Sequence, residues 1–416
     1  YYTLNGDIDL HKIVWNGQVA SPTPSNLAFS AIAPTRAYDT RTGLGVTAGD
    51  VRSDTTRLID LPAPASAQAA LVNITVTNNA GWGFLEAWAP RSLRSTTSVV
   101  NVVQPGEDVA NASVVTLDAQ GRFVLHATMA TDVVVDVLGW FSATPGTATA
   151  GRFVPVEPGR LIDTRQPAGA QLASGSNNPY VEAAGRVDLP VAGQLGVPAA
   201  ADVSAAVVVL TALGTSAPQS GFATAHAGGS SAPDASNVNT NGNGDIRANL
   251  AVVPVGSDGS MSVTLARVDD VLVDVVGYFT TSSAPASASG LFTAVAPTRI
   301  YDERPKGPVG PPNPPPAPAG GTLTLDFDDA WILLPAVSGA LAVLQNLTIT
   351  ATTGFDFVTA FPGGVVVPEV SNVNATGVDH TRAALAVTKL GPGSTVSYFT
   401  FGESMLIIDV FGYFRS

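Results

Sequence analysis

The chain has 416 residues, of which 45% are hydrophobic and 13% charged, with a formal net charge of −13 and no cysteine. Such a balance excludes a disordered chain, which needs low hydrophobicity and high charge, and a nucleic-acid binder, which needs a basic footprint. Without cysteine there are no disulfides, thiolate zinc sites or cysteine nucleophiles, and no apolar run reaches the ~18–20 residues of a membrane helix.

Residues 1–28 stand apart as an N-terminal arm ending "NGQVASPTPSN", with a short strand expected at "HKIVW", 11–15. An extended arm can add a strand to a neighbour's sheet edge, so residues 8–16 are expected to make backbone bonds outside their own domain. The chain begins at Tyr1 rather than Met, as expected of an exported form whose leader has been removed.

Beyond the arm, one unit occurs three times. "FSAIAPTRAYDTR" (29–41), "FVPVEPGRLIDTR" (153–165) and "FTAVAPTRIYDER" (292–304) open the copies, and "DVLGWF" (136–141), "DVVGYF" (274–279) and "DVFGYF" (409–414) close them. Asn101, Asn239 and Asn374 each lie 35 residues before the closing Asp, and the segments 69–141, 207–279 and 342–414 align without a gap. Length varies between the opening Arg and this block, as exposed loops allow and packed strands do not. In the third copy that stretch is the Pro-rich "PKGPVGPPNPPPAPAGG". "SATPGTATAG" (142–151) and "TSSAPASASG" (281–290) are small-residue connectors.

Within a copy the signal is β. In the first, "TRLIDL", "ALVNITVT", "GFLEAWA", "SVVNVV", "ASVVTLD", "RFVLHATM" and "DVVVDVLGWF" are apolar, β-branched runs separated by turn residues. "LVNITVT" and "RFVLHAT" alternate in part with period two, and no window sustains an amphipathic helix. The predicted fold is all-β: three tandem antiparallel β-sandwich, jelly-roll-like domains at 29–143, 153–281 and 292–416.

The pattern resembles a repeat of exported proteins from actinobacteria, acidobacteria and other soil bacteria. That repeat opens with P-x-R-x-x-D-T-R, carries a central S-x-x-N and closes with D-V-x-G-Y-F. The resemblance implies an extracellular or virion-surface β-module of no established activity, found beside hydrolase or anchoring modules and in some phage tail proteins. This chain departs from it at Glu303 (Thr in the pattern), at Trp140 (Tyr in the pattern) and in "SVVN" of the first copy, where the others read "SNVN".

A carboxylate in the middle of each closing strand demands compensation. Arg36, Asp39 and Arg41 recur as Arg160, Asp163, Arg165 and as Arg299, Asp302, Arg304. One reading is a bidentate Arg site for a carboxylate, phosphate or acidic sugar. The favoured reading is a structural clasp in which these groups satisfy one another and Asp136, Asp274 or Asp409, tying the last strand of each copy to its first. Asn101, Asn239 and Asn374 are expected to cap a turn rather than to line a sugar groove. The closing aromatics are expected to pack, leaving Trp82 and Trp88, unique to the first copy, as candidate ligand contacts. Arg247 and Arg382 share a register that the first copy fills with Val109, which argues against three equivalent sites.

His11, His126, His226 and His380 lack metal-ligand spacing, and "DFDD" (326–329) lacks the alternating ligands and glycine of a calcium loop. No phosphate loop or nucleophile elbow occurs. No cofactor, metal or catalytic residue is therefore assigned. The first expectation is a non-enzymatic extracellular structural or adhesive surface protein, assembling with copies of itself through its β-domains and arm in a filament, surface layer or virion. The alternative is an array of modules binding polysaccharide or the cell envelope, including a phage tail receptor-binding role, and a glycan-active enzyme ranks last. Neither nucleic acid nor membrane insertion is expected.

Overall fold

The computed structural model describes residues 25–46, 53–166, 185–214, 218–305, 317–329, 332, 334, 337 and 339–416, and the backbone of 3–4, 7–8 and 181–182. The strand expected at 11–15 lies outside the described residues. So do the outward contacts expected of 8–16, except at Ile8, which pairs with Thr3 in a small hairpin.

Each copy is an antiparallel sandwich. With the strands of the first copy counted in chain order, Leu27–Asp39, Asp132–Ala143, Ala67–Thr77 and Val109–Thr116 form a sheet of order 1-8-3-6. Thr55–Asp60, Arg122–Ala127, Gly83–Trp88 and Val100–Val102 form the second, of order 2-7-4-5. This is jelly-roll order, and it makes the first and last strands of a copy neighbours. The second and third copies repeat it, the second with the added edge strand Val181–Glu182. No helix beyond the 3-10 turn Ala200–Asp202 occurs among the described residues, and none is long and apolar enough to cross a membrane.

Two sequence features follow from this topology. Ala67–Thr77 and Asp132–Ala143 are buried along nearly their whole length, whereas Thr55–Asp60 is largely exposed. The first two belong to a sheet covered on both faces, by the copy's own outer sheet and by the other copies, and strands covered twice read as continuous apolar runs. The proline of each opening motif is the second feature. Opposite Val137 and Gly139 the opening strand jumps from Thr35 to Ala31, and equivalent jumps follow Pro155 and Ala294. Pro34, Pro158 and Pro297 sit in these bulges, where no ladder donor is needed.

The three copies close into a ring about a pseudo-threefold axis. Phe29 meets Phe141 with ring centroids 4.7 Å apart, Phe141 meets Phe292 at 4.5 Å, and Phe292 meets Phe414 at 5.1 Å. Phe414 meets Phe153 at 4.5 Å, Phe153 meets Phe279 at 5.5 Å, and Phe279 returns to Phe29 at 4.5 Å. All six are buried, each worth roughly 1.5–3 kcal/mol of burial. Above this hexagon Val114, Val252 and Val387, one from each copy, pack at the axis and leave only about 20 Å³ free. The connectors join this end of the ring: Ala148 bridges Ser287, and the Phe29 amide donates to the Gly151 carbonyl. The inner sheets of copies one and three also touch edge to edge where Phe292 faces Leu27.

Candidate functional site

The motif residues converge in every copy. Asp136 faces Arg36 across the ladder, as Asp274 faces Arg160 and Asp409 faces Arg299. Arg36 Nε lies 3.0 Å from Asp136 Oδ1, Arg160 Nη2 lies 3.2 Å from Asp274 Oδ2, and Arg299 Nε lies 2.8 Å from Asp409 Oδ1. Arg41, Arg165 and Arg304 each grip the Asp two residues before them, through side chain and backbone amide. The result is a chain of alternating charge in each copy, Asp136–Arg36–Asp39–Arg41 in the first.

Burial sets the protonation of these groups differently along the chain. Asp136, Asp274 and Asp409 are fully buried, and desolvation pushes their carboxyls up despite the facing guanidinium, Asp274 to about 6. Burial also pushes Asp39, Asp163 and Asp302 up. The bidentate grip and backbone donor of Arg41, Arg165 and Arg304 outweigh it and hold them below the usual range.

The departure at Glu303 has a local cause. Thr40 Oγ1 accepts from the Val133 amide and donates to Asp132, and Thr164 does the same with Val271 and Asp270. In the third copy the Asp position is Met405, and Glu303 accepts from the Leu406 amide and the Tyr301 hydroxyl instead.

The central asparagines act locally. Asn101, Asn239 and Asn374 each accept from the serine three residues before, Ser98, Ser236 and Ser371, at 3.0, 2.9 and 3.2 Å. A different set of asparagines joins the copies. Asn73 donates to the Ser236 carbonyl and accepts from Asn249, which accepts from the Ala112 amide. Between copies three and one, Asn346 donates to the Ser98 carbonyl and accepts from Asn111, which accepts from the Leu385 amide. These positions lie 63 and 25 residues before the closing Asp. Between copies two and three the same positions hold Thr211 and Ala384.

A charged hub holds the copies together away from the hexagon. Glu107 Oε1 takes Arg382 at 2.8 Å and Arg247 at 3.4 Å, and Arg247 also binds Asp245 at 2.8 Å. All four are buried. Burial pushes Glu107 and Asp245 up, but the two guanidiniums and backbone donors hold both below the carboxylate range. Burial and the neighbouring Arg247 pull Arg382 down to about 10. Glu107, Asp245 and His380 share one register, 29 residues before the closing Asp. Val109 now has a reason: two carboxylates balance two guanidiniums, and a third Arg would go unpaired. Burial and the two arginines pull His380 below its ordinary value, which keeps it neutral near pH 7. The signal for this hub in the sequence is the pair of registers, 29 and 27 residues before the closing Asp, whose charges differ from copy to copy.

Trp82 is 67% exposed and stands edge-on to Phe84, while Trp88 is half-buried on the same hairpin. A larger aromatic surface lies in the third copy, where Phe357 stacks on Phe401 at 5.0 Å and contacts Phe355 and Phe399. It borders a cleft of about 420 Å³ on the seam between copies two and three. Arg160 and Arg165 line the opposite wall. Among the described residues no group of three His, Asp or Glu side chains could hold a metal ion, and at 326–329 Asp326 accepts the Asp328 amide in a turn.

No family model matches the chain, and no curated protein matches it. Among solved structures, the chain is similar to the N-terminal CBM22-1–CBM22-2 tandem domain of Paenibacillus barcinonensis Xyn10C, at 12% identity over 61% of this chain and 100% of that one, with a TM-score of 0.18. It is also similar to an archaeal virus protein of triple jelly-roll fold and turret assembly, at 8% identity over 93% of this chain and 91% of that one, with a TM-score of 0.18. A third likeness is to a protein of Sulfolobus Turreted Icosahedral Virus, at 8% identity over 93% and 92% of the two chains, with a TM-score of 0.17. At these scores the likenesses extend no function to this chain.

Proposed function

We propose that this chain is a non-enzymatic extracellular structural or adhesive surface protein, built as one rigid pseudo-trimeric head. The observation that supports it is the closed phenylalanine hexagon. Faces that independent β-modules would offer to partners are spent inside the chain, which leaves a single body with its loops outward. Assembly with copies of itself, in a filament, surface layer or virion, then falls to the outer loops and the N-terminal segment. Leu93 and Val366, exposed by 93% and 90%, mark such outward loops in copies one and three.

Immunogold electron microscopy of the producing cells and their culture fluid tests the reading. Label is expected on extracellular fibres, layers or particles. Label confined to the cytoplasm overturns it.

A further inference from the structure

We infer that the cleft between copies two and three is a binding site for a neutral saccharide. Its origin is a local break in the pseudo-threefold. At the other two seams a pair of asparagines fills the space and bridges the copies. Here Thr211 and Ala384 replace them, and both side chains are shorter. The seam keeps about 420 Å³ of open volume, within the range of small-ligand pockets. Thr211 is 2% exposed and lines the cleft, yet its hydroxyl has no partner among the described residues.

The lining selects the chemistry of that occupant. One wall is aromatic, made by Phe355, Phe357 and Phe399. Rings of this kind cover the C–H face of a sugar. Beside them the lining holds Arg165, a donor, Glu369, an acceptor, and the buried Asn374. Arg165 commits its Nε and Nη2 to Asp163, so Nη1 remains for a ligand hydroxyl. Arg160 is spent on Asp274, Asp163 and the Glu369 carbonyl. Both guanidiniums are thus engaged by buried carboxylates, and Glu369 adds a negative charge to the lining, so the cleft offers no uncompensated cation to an anionic ligand. A polyhydroxyl ligand with an apolar face and no charge satisfies the whole lining.

The inference is separate from the surface-protein reading, since localisation and saccharide binding are measured independently. The full chain is titrated by calorimetry with neutral oligosaccharides (gluco-, xylo-, manno-, galacto- and chito-series) and with uronate oligosaccharides. At least one neutral series is expected to bind. Thr211→Asn with Ala384→Asn, which installs the asparagines of the other seams, is expected to weaken that binding at least tenfold without lowering the melting temperature. Should this pair fail to fold, Phe355→Ala removes part of the exposed aromatic wall and is expected to weaken binding in the same direction. Absence of neutral binding, binding to uronates alone, or undiminished binding by the folded variants overturns the inference.

Discussion

Phe141 of the first copy rests against Phe292 of the third, ring centroids 4.5 Å apart. The contact closes the ring between the two ends of the chain and has two counterparts at the other seams, Phe414 on Phe153 and Phe279 on Phe29. Phe141→Ala should cost about 3–5 kcal/mol, the usual range for a buried phenylalanine. Because the lost contact joins copies, the single unfolding transition expected of the wild type should also split. Denaturant unfolding followed by both far-UV and near-UV circular dichroism reads both effects, and an unchanged midpoint with one transition contradicts the closed ring.

The glycine of each closing motif makes the hexagon possible. A Cβ on Gly277 would strike the Phe153 ring and lie 2.8 Å from the Val154 carbonyl oxygen, and Gly139 and Gly412 are crowded the same way by Phe29 and Phe292. Gly277→Ala should therefore destabilise by about 3 kcal/mol or more, far beyond an ordinary surface change. Phe153→Ala should cost less in that background than in the wild type, because it removes one of the clashing groups, so the double variant should lose less than the sum of the two single losses. A double-mutant cycle by thermal denaturation checks the coupling.

In the hub, one carboxylate serves two guanidiniums. Glu107→Gln would leave Arg247 and Arg382 buried with only Asp245 between them, at a cost of about 3–5 kcal/mol. Adding Arg382→Met restores the charge balance and should return much of that stability. If the double variant proves no more stable than Glu107→Gln alone, charge balance is not what holds the hub.

Asp274 gives the pH dependence a definite sign. Its folded carboxyl titrates near 6, above the unfolded value of 3.8, because it is buried. The folded state thus takes up a proton first as pH falls, and this group adds stability as pH drops from about 6 towards 4. The gain approaches roughly 3 kcal/mol and is lost again as pH rises through 6. Asp39, Asp163 and Asp302 act oppositely, their contribution vanishing only below the usual carboxylate range. Melting curves between pH 7 and 4.5 should show the Asp274 component in the wild type and not in Asp274→Asn. Identical pH slopes in the two proteins contradict it.

Much of the fold was legible because it is local to one copy. The alternating and continuous apolar runs marked the strands. The recurring Arg-x-x-Asp and mid-strand Asp pointed to a shared first and last strand, and those residues face each other in all three copies. The serine three residues before Asn101, Asn239 and Asn374 already offered the partner of each turn. The rest is complementarity between copies, which spacing within a copy does not encode. Glu107 answers Arg247 and Arg382 of the other two copies, and Thr211 and Ala384 stand where the other seams hold asparagines.

The sequence by itself determined an all-β chain of three copies and the residues that tie each copy's end to its beginning. Strand periodicity and spacing within a copy carry that information. Only the tertiary structure decided that the copies close on one another, that Glu107 answers Arg247 and Arg382, and that one seam of three stays open. Those features depend on side chains from different copies meeting across an axis. Sequence spacing cannot report such meetings, because the complementarity is in space and each half of it lies in a different repeat.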